Sequence, residues 1–297
     1  MSRILLQTTI PARSDDWDVN RFSLLATELR AAGHEVLARN RSAEAGDDPV
    51  LAHLDDLDVD QLWLLAVDVG DGLTAAEADA VIRFREGGGG VLSARDHYRL
   101  GSCLLQLGSL GLVNRFHDES VDPESMNDDR GTPEISWPNF HSGANGDYQP
   151  VFITEPAHEL MRTTRTISGR IEWFPAHPHE GLVTPEGPFA TVVAQGRSRA
   201  TGRRFNLAVA LDGETAPNGR PMGRAVAEST FHHFADYNWD LSRGAPSFVS
   251  ETPGNEISSD SAPLTVFKDY VRNLATWLQS PAKRYGANPV LVSEAHQ

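Results

Sequence analysis

Residues 83–103 constrain the fold more than any other stretch. A charged helix end (Arg83-Phe84-Arg85-Glu86) runs into four consecutive glycines, Gly87 to Gly90, and then into the short apolar run Val91-Leu92-Ser93-Ala94. Glycines at that point let the backbone turn sharply and pack close to its neighbours, which a residue with a Cβ resists. The apolar run has the length and composition of a strand covered on both faces. Arg95, Asp96 and His97 follow it at once. In an open α/β sheet that is the carboxyl end of a strand, the place where such sheets bind ligands.

The rest of the first hundred residues repeats the same alternation. Strands are expected at residues 3–8, 34–38, 61–67 and 90–94, as parallel neighbours in one sheet. Trp17, Phe22, Leu25 and Leu29 recur at helical spacing, and Gly33 stands where a helix stops. Thr74 and Glu77 form a capping-box pair at the head of a helix reaching about Arg85. Further strands are expected at 189–194, 205–211 and 225–229, and a closing helix at about 264–279 with Phe267, Tyr270, Val271, Leu274 and Leu278 on one face. The reading is a flavodoxin-like, three-layer α/β fold with a mainly parallel sheet, spanning residues 1–280 as one domain. Residues 118–150 make a large irregular insertion, read as a lid, and 281–297 a peripheral tail.

Composition narrows the function classes. A formal net charge of −15 with no basic stripe disfavours nucleic acid and anionic membrane as partners. The one cysteine, Cys103, rules out an intramolecular disulfide framework and fits a reducing, cytoplasmic setting. No apolar stretch approaches a membrane span. The expected partner is a small-molecule ligand, and self-association into a homo-oligomer stays open.

The chemistry lies in histidines. Of 11 in the chain, five fall in three short groups: His97, His177 with His179, and His232 with His233. Asp96 and Glu180 adjoin two of the groups, and an apolar run precedes each one, so all three are expected on one rim of the sheet. Asp96, His97, His179, Glu180 and His232 are the catalytic candidates. His97, His177, His179, His232 and His233 are the candidate ligands of a divalent metal such as zinc, since neutral imidazole is the commonest metal ligand. Without a metal, the same groups suit general acid–base work near neutral pH. Arg95, Asn139, His141 and Asn145 are the candidate substrate contacts. A plainer reading stands beside this one. Neighbours on an extended segment face opposite ways, so at most one of His232 and His233 looks into a given pocket. Buried polar side chains also serve simply to satisfy loops. Trp137 and Phe140 read as loop anchors.

The first hundred residues resemble the class I glutamine-amidotransferase-like superfamily, in its trehalose-utilisation (ThuA-like) branch. The resemblance rests on the N-terminal strand, on Ala32-Gly33-His34-Glu35-Val36, and on residues 84–90 leading into a polar strand tip. The chain as a whole resembles bacterial members of that superfamily to which no activity is attached. The shared stretches are Arg95-Asp96-His97, residues 175–181 and residues 229–234. The resemblance implies the same fold. It also implies a cysteine nucleophile at the turn after the strand, and here the chain departs: Arg95, Asp96 and His97 occupy that turn. Cys103 falls later, where it is expected to face the core, so a thiol glutaminase is not expected. Two functions follow: a hydrolase-type enzyme for a small polar metabolite, using the His/Asp/Glu pocket, or a catalytically silent ligand-binding or scaffold protein.

Overall fold

The computed structural model describes residues 1–42, 45–115, 139–257 and 261–280. Its strands, in chain order, are β1 (Arg3–Thr8), β2 (Glu35–Arg39), β3 (Gln61–Leu65), β4 (Gly90–Ala94), β5 (Tyr148–Pro150), β6 (Trp173–Pro175), β7 (Ala190–Arg197), β8 (Arg204–Leu211) and β9 (Ala225–Glu228). The α-helices are α1 (Ser23–Ala31), α2 (Ala75–Glu86), α3 (Gly108–Val113) and α4 (Ala262–Trp277).

Seven strands form one sheet in the order β2-β1-β3-β4-β9-β8-β7. The pairs β1–β2, β1–β3, β3–β4 and β4–β9 are parallel, and β8 and β7 extend the edge antiparallel. The four expected N-terminal strands are therefore parallel neighbours. Their order, 2-1-3-4 and then β9, is the flavodoxin-like order. β3 ends at Leu65, two residues short of expectation, and β2 is displaced by one.

Side-chain alternation builds the layers. Ile4, Leu6, Trp63, Leu65 and Leu92 point into a core shared with Leu25 and Leu29 of α1 and with Phe267, Tyr270 and Leu274 of α4. Leu5, Leu62, Leu64 and Val91 point the other way, onto Ala78, Val81 and Phe84 of α2 and onto Leu51 and Leu54. A strand apolar on both faces is what a sheet covered twice requires. Before β3 the chain forms a 3₁₀ helix, Leu51–Asp56, which brings those two leucines to the second face.

Two local signals act as expected. The Thr74 side chain caps α2 while Glu77 reaches back, completing the capping box. In the glycine run, Gly88 has φ +95, and a Cβ on Gly90 would stand 2.1 Å from the Leu278 carbonyl oxygen. Among the described residues no helix is long and apolar enough to cross a membrane.

Candidate functional site

The carboxyl ends of β1, β3 and β4 meet at one cavity of about 410 Å³. Thr9 and Ile10 follow β1, Val67 and Asp68 follow β3, and Asp96 and His97 follow β4; all six line it. Because β2 lies on one side of β1 and β3 on the other, this is the topological switch of the sheet, where the crevice of a doubly wound fold opens. His177, His179, His232 and Asn145 reach the same cavity from outside the parallel strands.

Asp96 is the hub. Its Oδ2 lies 3.0 Å from His97 Nδ1, 3.5 Å from His232 Nε2 and 3.8 Å from His177 Nε2. The Thr230 hydroxyl donates to its Oδ1 at 2.8 Å. Burial by itself would push this carboxyl up, but His232, His97 and His177 outweigh it and hold the pKa well below the usual carboxylate value. His177 moves the opposite way. Burial, then the neighbouring His232, press its pKa well below 6.5, so the ring is neutral at neutral pH. Burial and His97 also lower His179, whose Nε2 sits 3.1 Å from Glu251.

The turn that carries Asp96 is held from below. Arg95 is fully buried, and its guanidinium donates to the carbonyls of Asp96, Asn114 and Tyr98. Tyr98, just past His97, has φ +45, the one positive value at a non-glycine position among the described residues. Backbone held in that region marks places where surrounding contacts over-determine the conformation. Arg95 therefore shapes the turn and does not line the cavity.

On the opposite wall, β6 delivers Ala176 and His177. Asn145 Oδ1 is 2.9 Å from His177 Nδ1, so Nδ1 carries the proton and Nε2 faces Asp96 with its lone pair. The Ser142 hydroxyl accepts from the His177 backbone N–H at 2.9 Å and donates to Glu180. His232 stacks on His177 with ring centroids 3.6 Å apart and meets Trp17 edge-on at 4.6 Å.

The predicted residues thus divide. Asp96, His97, His177, His179, His232 and Asn145 share the cavity wall. His233 and Glu180 lie behind it in a sealed cluster: His233 is 3.2 Å from Glu228 and 3.5 Å from Glu180, all three at 0% exposure. Tyr270 donates to Glu228, and Gln149 to Glu180. Asn139 is buried away from the cavity, and His141 points its Nδ1 to the Pro178 carbonyl. Of the insertion read as a lid, 118–138 lies outside the described residues, Trp137 included. Phe140 stacks on Phe205 at 4.6 Å, as a loop anchor does. Sequence reasoning missed Thr230, Ser142, Asn114, Glu228 and Glu251. Only Thr230 carried a signal, as a hydroxyl residue two positions before a histidine group.

Cys103 is buried in a 3₁₀ turn, Ser102–Gln106, with its thiol on Asp68 Oδ1 at 3.1 Å. Burial first, and the Asp68 charge after it, push its pKa well above the ordinary thiol value. A nucleophilic thiolate requires the opposite surroundings.

Three donors stand out for a metal. Asp96, His177 and His232 each offer an atom within 4.8 Å of the others, and all three residues are buried. Two ligands of one tetrahedral ion at ~2.0–2.2 Å are separated by roughly 3.4 Å. The 3.5 and 3.8 Å contacts to Asp96 are close to that spacing. Because the His177 and His232 rings stack nearly parallel, one of them would have to turn for both in-plane lone pairs to reach a single ion.

Fold and site together define a flavodoxin-like α/β protein with a histidine–carboxylate cleft at the carboxyl rim of its sheet. No protein-family model matches the chain, and no curated protein matches it. Among solved structures it is similar to the Trypanosoma brucei CTPS glutaminase domain with bound acivicin, at 14% identity and a TM-score of 0.48. That likeness covers 96% of this chain and 99% of the other. At that level no chemistry transfers; the strand order defines the class.

Proposed function

We propose that this chain is a metal-assisted hydrolase for a small organic molecule bound at the carboxyl rim of the sheet. The observation that carries the reading is the grouping of Asp96, His177 and His232 on the cavity wall, with one donor atom of each within 4.8 Å of the others. Two nitrogens and one carboxylate oxygen are a donor set suited to zinc with a position left open. When bound, such an ion supplies a Lewis acid for a carbonyl group and a lowered pKa for water.

The chain's own residues do the rest. Asn145 fixes the His177 tautomer, and the low pKa of that ring keeps its Nε2 unprotonated. Asp96 stays ionised and orients His97 through Nδ1, which leaves Nε2 of His97 to take up or return a proton. Thr230 and the Arg95-braced turn hold the Asp96 carboxylate in place. Membership of the class I glutamine-amidotransferase-like superfamily and its ThuA-like branch belongs to the same proposal, as does a cytoplasmic setting. The strand order and the polar turn after β4 support the first, the single cysteine the second.

The test is metal binding by tag-free protein. Calorimetry with Zn²⁺ should give one site per chain, weakened at least tenfold in Asp96→Asn, with EDTA-reversible hydrolysis of at least one member of a panel of neutral, anionic and cationic esters and amides. Absence of uptake removes the metal. Uptake without turnover on any substrate favours a binding protein.

A further inference from the structure

We infer that the substrate of this cleft is an ester or amide of a hydrophobic amine: an apolar, ring-sized body with a cationic nitrogen beside the scissile carbonyl, and no anionic group. The inference rests on the cleft being the substrate site, and it follows from the walls and mouth, not from the Asp96 centre. Val67 and Val69 after β3 and Phe248 and Val249 from the loop at 244–257 give the cavity a mainly apolar lining. Val69 is 72% exposed and Phe248 59%. Single exposed apolar residues are ordinary, but these two come from distant segments and border one opening, as the rim of a binding groove does.

Charge selects the head group. Asp71 and Glu251 line the cavity, and Asp71 is exposed. Five carboxylates line the cavity, Asp16, Asp68 and Asp96 besides those two, against two arginines, of which Arg41 is held 2.7 Å from the buried Glu77. With the whole chain at −15, an incoming carboxylate or phosphate meets a field of its own sign, whereas an ammonium is drawn in. Phe248, 59% exposed at the mouth, adds an aromatic ring that can attract a cation and pack an apolar body.

The experiment uses the full chain, dialysed against EDTA so that no bound cation attracts a carboxylate probe. Calorimetry or ligand-observed NMR compares phenethylamine, phenylacetate and ethanolamine, which separate ring from charge. Phenethylamine should bind at least tenfold more tightly than either of the others. Phe248→Ala should weaken it several-fold at unchanged melting temperature, and Asp71→Asn should narrow the gap between the amine and the acid. Equal or tighter binding of phenylacetate, parity with ethanolamine, or no binding of any probe overturns the inference. Zinc uptake by the untreated protein is measured separately. Uptake without the amine preference sinks this inference alone; the preference without uptake sinks the metal reading alone.

Discussion

His233 stands between Glu180 and Glu228 with no exposed surface, one residue from His232, which lines the cavity. Burial alone would lower its pKa, but the two carboxylates outweigh burial and raise it to about 9. The neighbouring Glu228 is itself raised by burial. His233 is therefore an imidazolium at neutral pH, and its folded pKa lies above the unfolded value. Its contribution to stability is complete below about pH 6.5 and lost as pH rises through about 9. Removing one member of a buried ionic cluster leaves the others uncompensated, at a cost of about 3–5 kcal/mol. His233→Gln should lose stability on that scale in urea titration at pH 6.5, with the gap to wild type shrinking above pH 9. A gap that ignores pH would show that His233 carries no charge. Two adjacent, identical side chains have opposite fates here, though not by the alternation of an extended segment. Phe231–Phe234 is a 3₁₀ helix, and its turn of a third of a circle per residue carries His232 to the cavity and His233 away from it.

At the scale of elements, local chemistry and distant packing can be separated. Thr74 and Glu77 cap α2 through atoms three residues apart, so the sequence shows the device completely. Glu77 does more than cap: it also receives Arg41 and the Asp48 backbone N–H from a loop some thirty residues away. That second use has no local signature. Thr74→Ala should cost about 1 kcal/mol, as the loss of one cap does. Gly90→Ala should cost more, because its Cβ would strike the Leu278 carbonyl just past α4. Denaturant melts of the two variants check the order, and an inverted order would mean that α4 gives way freely at its end. The glycine run was legible as a close turn, but its partner, the far end of the chain, was not.

For the whole molecule, acid is the informative stress. The Asp48 carboxylate is fully buried and accepts from Arg39, Ser42, Val50 and Leu51. Burial opposes ionisation, but these donors outweigh it and hold the pKa far below the ordinary value. The depressed pKa contributes stability above about pH 4, and that contribution fades as pH falls further. Asp48→Asn should therefore be destabilised at pH 7 and draw closer to wild type between pH 4 and 2, read by circular dichroism; a constant difference would remove the carboxylate charge from the account. The sequence by itself determined the parallel half of the sheet, since apolar runs, turns and caps act over a few residues and recur in order. It also determined that Asp96 and His97 sit at a strand tip. Only the tertiary structure decided that His177 and His232 stack over that tip, that Arg95 braces the turn from below, and that Glu180 and His233 close a separate buried cluster. Most of those contacts join segments far apart in the chain, and side-chain direction there is set by packing between layers, which no local pattern encodes.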